Sequence, residues 1–196
     1  MSNRSRAAIK VHVRRSKKRI IALVLAVLLL GAGAYLLLLV FAPSIPFLSQ
    51  PHSIVDNPND TRNRLLIDKI DLEVPYFSGD VSVLNDGAWW RHPERGNPKK
   101  GGNFILSAHR FELGLTPQGT RMRSPFYHLD RLEAGDTIRV MFEEEWYEYK
   151  VTRRYDVDRN AIEIEAPIDD ARLTLYTCSL RGEADGRVVI EARPVD

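Results

Sequence analysis

The stretch IIALVLAVLLLGAGAYLLLLVF, Ile20 to Phe41, runs for 22 residues without a charged or strongly polar side chain. At a rise of about 1.5 Å per residue, about 20 residues cross a hydrocarbon core of about 30 Å, so this run is long enough to span. It is apolar on every face, unlike the one-sided stripe of a core helix. It is also longer than the roughly 7–15 residues of a signal-peptide core, and no small-x-small cleavage site follows, since Ala42 leads straight into Pro43. The reading is an uncleaved transmembrane anchor over 20–41, with a cleaved signal sequence as the alternative. Residues 1–19 hold eight basic side chains and no acidic one. By the positive-inside rule they form a cytoplasmic arm, and residues 42–196 face the outside. The GAGA at 31–34 is either a helix-packing face or simply tolerated in lipid.

The formal net charge of +2 hides two opposite halves. With eight of the 28 basic residues in the arm, 20 remain against 26 acidic residues in 42–196, a net charge of −6. A mildly acidic body gives no support to nucleic-acid binding. Residues 42–63 read as an extended stalk, because Pro43–Asp60 carries four prolines and several turn formers. From residue 64 to 196 the signals are those of short strands. RLLIDKIDLEVPYF suggests strands broken at Asp68–Lys69 and at Pro75, and NFILS suggests a buried one. DTIRVMF and EWYEYKVTRRYDV alternate at period two around Glu143–Glu145, which predicts a hairpin. LTLYTC and RVVIEARPV form a last pair, separated by a loop containing Gly182 and Gly186. Helical turns are expected near Pro125–Leu132 and Pro167–Ala171. Many short strands at regular spacing argue for a closed or nearly closed β-barrel.

Cys178 is the only cysteine. It cannot form an intramolecular disulfide, so it is a packed small side chain, a partner for another chain, or a reactive thiol. It ends a strand just before a polar loop, where a barrel rim exposes side chains, and this favours a functional thiol. Such a thiol needs a base or a cationic neighbour. His12 lies in the arm and His52 in the stalk, leaving His92, His109 and His128. His109 closes the strand FILSA, a strand-end position like that of Cys178. Acyl transfer also needs a donor for the developing oxyanion. Arg187 opens the strand that follows Cys178, and in an antiparallel pair it lies beside or nearly opposite the cysteine. Arg181, in the intervening loop, is the competitor.

These segments resemble those of the sortase family. TLYTC, followed nine residues after the cysteine by the arginine of GRVVIEA, resembles the TLxTC…R signature. GGNFILSAHR resembles the segment carrying the family's histidine, GAWWRHPERGNPKKGGN the approach to it, and SPFYHLDRLEAGDTIRV the stretch between. The resemblance covers about Leu65–Val195, in the order His, Cys, Arg. It implies a mainly β fold: a closed eight-stranded sortase-type β-barrel with short helices, behind a single N-terminal transmembrane helix. It further implies a cysteine transpeptidase, a hydrolase and acyltransferase acting on peptide bonds. Cys178 would be the nucleophile, His109 the general acid/base and Arg187 the stabiliser of substrate carbonyl and oxyanion, with Thr177 helping to shape the acyl pocket. Implied partners are exported proteins with a C-terminal LPxTG-like sorting signal, an amine nucleophile from a cell-wall precursor or a pilin lysine, and the lipid bilayer of a bacterial surface. The resemblance names neither the class nor the acceptor.

No cofactor is expected. Some sortases bind calcium through acidic loops, and Glu163, Glu165, Asp169 and Asp170 precede the cysteine strand, but the preferred reading is a solvated acidic loop. No His/Cys cluster has transition-metal spacing, and no phosphate-binding glycine loop occurs. An L,D-transpeptidase-like enzyme would set its cysteine in an SxGC-type motif, absent around Cys178, and papain-like or amidase folds usually run Cys before His. A non-catalytic anchored binding module with a packed Cys178 is the alternative from another class. Trp89–Trp90 is expected to pack over the barrel rather than line a peptide groove.

Overall fold

The computed structural model describes residues 3–45, 63–180 and 182–195. Helix α1 runs from Asn3 to Phe41, and a 3-10 turn at Ala42–Ser44 ends it. It is the one helix among the described residues that is long and apolar enough to cross a membrane. The expected stalk is described only as far as Ile45 and from Asn63, and the rest of it lies outside the described residues.

Nine strands follow: β1 (Arg64–Ile67), β2 (Leu72–Phe77), β3 (Ala88–Arg91), β4 (Gly96–Asn97), β5 (Gly101–Ser107), β6 (Thr137–Phe142), β7 (Glu145–Val157), β8 (Arg172–Ser179) and β9 (Gly182–Pro194). Their order is β3-β2-β1-β6-β7-β9-β8-β5-β4, and antiparallel pairing of β3 with β5 closes the sheet. The result is the expected eight-stranded barrel with β4 as a short extra strand. Closure removes the unpaired edges that an open sheet would expose. Inside lie alternate residues of each strand, among them Leu65, Ile67, Phe104, Leu106, Leu173 and Leu175. Trp90 packs edge-on against Tyr76, Phe104 and Phe142, with ring centroids 6.2, 5.6 and 5.7 Å away. Trp89 donates its indole N–H to the Gly79 carbonyl and lies under the Arg91 guanidinium. Both indoles therefore pack, as expected.

Four local expectations change. The break at Asp68–Lys69 is there as a 3-10 turn, Asp68–Ile70, but β2 runs through Pro75. Tyr76 donates its N–H to Asn63 on the β1 side, so the neighbouring Pro75 nitrogen faces the side where β3 begins pairing only at Tyr76. A proline is harmless where no ladder bond is due. The turn near Pro125–Leu132 is present as a 3-10 turn at Leu129–Arg131, whereas the second helical turn falls at Ile162–Glu165, not at Pro167–Ala171. Helix α2 (Pro117–Met122) was not anticipated, although Thr116 as N-cap followed by proline at the first helical position is a readable start signal. Finally, β9 already begins at Gly182, and a register shift between Cys178 and Ser179 takes up what was read as a loop.

The β6–β7 hairpin turns on Glu143 and Glu144, both at positive φ (49° and 69°). A two-residue hairpin turn matched to strand twist demands this, and it normally selects Asn and Gly. Glu144→Gly should relieve roughly 1–2 kcal/mol of backbone strain and return roughly 0.5–1 kcal/mol as extra unfolded-chain entropy. The variant should unfold at a higher temperature than the parent in side-by-side melts, with the reverse shift expected if the turn is not strained.

Candidate active site

The candidate site is built from three strands ending at one rim. In β5, Phe104, Leu106 and Ala108 point into the core, so Asn103, Ser107 and, one step on, His109 share the outer face. In β8, Leu173 and Leu175 point inward with buried Thr177, which leaves Thr174, Tyr176 and Cys178 on the outer face. In β9, Ile190 and Ala192 point inward, placing Arg187 outside with Glu191. His109, Cys178 and Arg187 thus emerge on the same face of the barrel wall.

Register brings them together along that rim. Cys178 pairs with Arg187 across the β8–β9 ladder, as the sequence led one to expect. On the other side, β5 runs parallel to β8 as far as Ser107 beside Tyr176, and the same register carried two residues beyond the strand end would bring His109 level with Cys178. The Thr177 hydroxyl donates to the Ala108 carbonyl at 2.7 Å, locking the two strand ends. Thr177, expected to help shape an acyl pocket, turns inward by strand alternation and is buried. Arg187 is also paired with Val157 of β7, and its guanidinium donates to the Gly186 carbonyl at 3.1 Å. Gly186 has φ +149° and lies so close to the Val157 carbonyl that a Cβ would come within 2.6 Å. Only glycine fits there, and it lets the chain enter the ladder directly beneath Arg187.

The other two histidines go elsewhere. His128 sits under the end of α1, where its Nε2 meets the Pro43 carbonyl at 3.1 Å and so must carry the proton. Burial and the Arg131 charge hold its pKa below the ordinary value. His92 occupies a left-handed position with its Nε2 3.2 Å from Glu165. Arg181 lies outside the described residues.

Glu165 corrects the picture of a solvated acidic loop. Its carboxylate accepts from Arg91 at 2.8 and 3.1 Å and from the Tyr176 hydroxyl at 2.6 Å, while Arg95 donates to its backbone carbonyl. Asn103 donates to the carbonyls of Ile164 and Ala166 and accepts from Thr174. These bonds strap the 162–166 segment over the outer face of β5 and β8. Burial alone would raise the Glu165 carboxyl, but the hydrogen bonds from Arg91 and Tyr176 outweigh it and hold the group below its ordinary value. Burial, then Glu165, pushes the Tyr176 phenol well above its own. Asp170 lies against Arg193, and among the described residues no group of three or more His, Cys, Asp or Glu side chains could hold a metal ion. On the opposite side of Cys178, a recess of about 520 Å³ is bordered by Arg187, Ser179, Asp156 and the Arg110–Asp130 ion pair. Arg110, which follows His109, is buried. A thiol flanked by an imidazole and a guanidinium on a partly exposed wall can attack a carbonyl, hold the oxyanion and pass a proton.

A family model described as the sortase domain matches residues 65–195. The solved structure of sortase A from Listeria monocytogenes is 23% identical over 68% of this chain and 86% of its own, with a TM-score of 0.58. Sortase C1 from Streptococcus agalactiae is 25% identical over 68% of this chain and 67% of its own, with a TM-score of 0.57. A sortase D5 transpeptidase from Clostridium perfringens is 18% identical over 69% of this chain and 79% of its own, again at 0.57. No curated protein matches the chain.

Because Glu165 is held ionised in the fold, its contribution to stability is present above the unfolded carboxylate pKa of about 4.3 and is lost as pH falls through the lower folded value. Glu165→Gln should therefore melt below the parent at neutral pH, and the gap should close below about pH 4. A gap independent of pH would mean that the carboxylate charge contributes nothing.

Proposed function

From the premise that this chain belongs to the sortase family, we propose that it is a membrane-anchored cysteine transpeptidase that cuts an LPxTG-like sorting signal and transfers the new acyl end to an amine. The observation that supports the reading is the pairing of Cys178 with Arg187 across β8 and β9, with the strand that leads into His109 running parallel beside β8 up to Tyr176. The Cys178 thiolate attacks the carbonyl of the scissile bond, and negative charge moves to its oxygen. Arg187 donates to that oxyanion, held in place by the ladder on both sides and by Gly186. His109 gives its proton to the departing amine as the C–N bond breaks, leaving a thioester on Cys178. The acceptor amine then attacks the thioester, His109 takes the proton back, and the thiolate leaves. Because a thioester stays reactive toward amines, the energy of the cleaved peptide bond passes into the new one. Thr177 acts as a positioning residue through Ala108.

The anchor reading of α1 places the basic arm in the cytoplasm and the barrel at the outer surface. Substrates would be exported proteins carrying a C-terminal sorting signal. The acceptor would be a cell-wall precursor amine or a pilin lysine.

The test uses the full chain in detergent with a peptide library varied around LPxTG and a primary-amine acceptor, read by mass spectrometry. Cys178→Ala should abolish both the enzyme-bound acyl adduct and the joined product. Arg187→Ala should lower kcat/KM by about 10²–10³, the usual effect of removing an oxyanion donor. Product formation that survives Cys178→Ala would overturn the mechanism. No adduct, together with a native thiol inert to iodoacetamide, would establish the binding-module reading instead.

A further inference from the structure

The segment between His109 and Phe126 carries α2 and joins the histidine strand to the remainder of the barrel. Its side chains divide sharply. Leu115 is 93% exposed, Met122 67%, Leu113 50% and Phe111 39%, an unusual amount of apolar surface for so short a stretch. Several of its backbone polar groups, by contrast, are bonded within the protein. The N–H of Glu112 donates to the Ser124 hydroxyl, that of Gly114 to Thr120 and that of Gly119 to Thr116. The Leu115 carbonyl accepts from the Tyr35 hydroxyl at 2.8 Å.

That last contact sets the depth of the segment. Tyr35 lies six residues before the end of α1, about 9 Å below it at 1.5 Å per residue. An apolar run of 22 residues is about 33 Å long against a core of about 30 Å, so Tyr35 lies about 7–8 Å below the outer boundary, in the outer acyl region. What touches its hydroxyl sits in that region. Two more bonds hold the arrangement rigid: Arg121 and His128 both reach the Pro43 carbonyl, at 3.2 and 3.1 Å, and Arg121 is also paired with Asp71 at 2.6 Å. Leu39 and Ala42 are buried against this part of the barrel. Phe111 packs tilted against Tyr127 and Tyr127 edge-on against His128, which reaches Pro43, giving the kind of aromatic ledge common at membrane interfaces.

We propose that the 111–122 segment is a second membrane contact, with Phe111, Leu113, Leu115 and Met122 seated in the headgroup and outer acyl region of the bilayer that α1 spans. The inference rests on the anchor reading of α1. Internal bonds to the Glu112, Gly114 and Gly119 amides and to the Leu115 carbonyl lower the cost of seating this backbone at that depth, where unsatisfied groups are costly. The segment begins two residues after His109 and is tied back to it by the bond from the Phe126 N–H to the His109 carbonyl. Docking therefore fixes the height and rotation of the catalytic rim over the membrane.

Full chains bearing Cys178→Ala and one new cysteine would be labelled with an environment-sensitive fluorophore. They would be placed in vesicles of phosphatidylcholine and phosphatidylglycerol, with and without brominated acyl chains. Leu115→Cys reports the segment, Glu144→Cys the hairpin at the far end of β7, and Leu30→Cys the middle of α1. The label at 115 should be quenched by brominated lipid at least about threefold more than that at 144, and be shielded from aqueous iodide. Iodide quenching at 115 with lipid quenching at 30 would overturn the second contact and leave the anchor standing. Shielding at 115 from both quenchers would mean that protein covers it, which also overturns the proposal. Absence of lipid quenching at 30 would remove the anchor reading itself.

Discussion

The parallel alignment of β5 against β8 is the constraint on which the site depends. Two parallel neighbours end at the same rim, whereas antiparallel neighbours end at opposite ones, so His109 and Cys178 can meet only in this arrangement. The polar bonds across the pair, Thr174 to Asn103 and Thr177 to Ala108, make the register costly to slip by even one residue. A slip of one would turn His109 into the core and Cys178 away from it. Arg187 arrives by a different route, the β8–β9 hairpin, and its position depends on Gly186 passing tightly beneath the Val157 carbonyl.

The outer face of the barrel is as organised as its core. Glu165 gathers Arg91, His92 and Tyr176 around one carboxylate, and Asn103 binds the same segment through its backbone. A half-buried carboxylate with several donors is stable as a unit and costly to open in part. The segment's bonds run to Arg91 and His92 at the end of β3, to Asn103 of β5 and to Tyr176 of β8, so it ties three neighbouring strands together on the outer face. On the other side, Arg110 and Asp130 border a more polar recess next to Arg187.

Attachment of the barrel to α1 is direct. The end of the helix is clasped by Tyr35, Arg121 and His128 contacts, and the first turn after it is buried. Two of the three histidine candidates outside the arm and stalk are thereby explained by structure. His128 braces the end of α1 and His92 braces the 162–166 segment, while His109 follows the end of β5.

By itself the sequence determined what local periodicity can carry: the apolar run, the alternating strands, the hairpin around Glu143–Glu145, Cys178 at a strand end, and Arg187 beside or opposite it at the start of the next strand. These are interactions between residues close in the chain, where two-residue and 3.6-residue periods leave a visible trace. Assigning His109 over His92 and His128 came from resemblance, since no local pattern distinguishes a histidine at a parallel strand end from one that braces a loop. Only the tertiary structure decided the closure of β3 on β5, the inward turn of Thr177, the burial of Glu165 and the seating of the 111–122 segment against Tyr35. Each joins segments that are distant in sequence or depends on which face a neighbouring element covers. A single chain read residue by residue carries no periodic signal of such contacts.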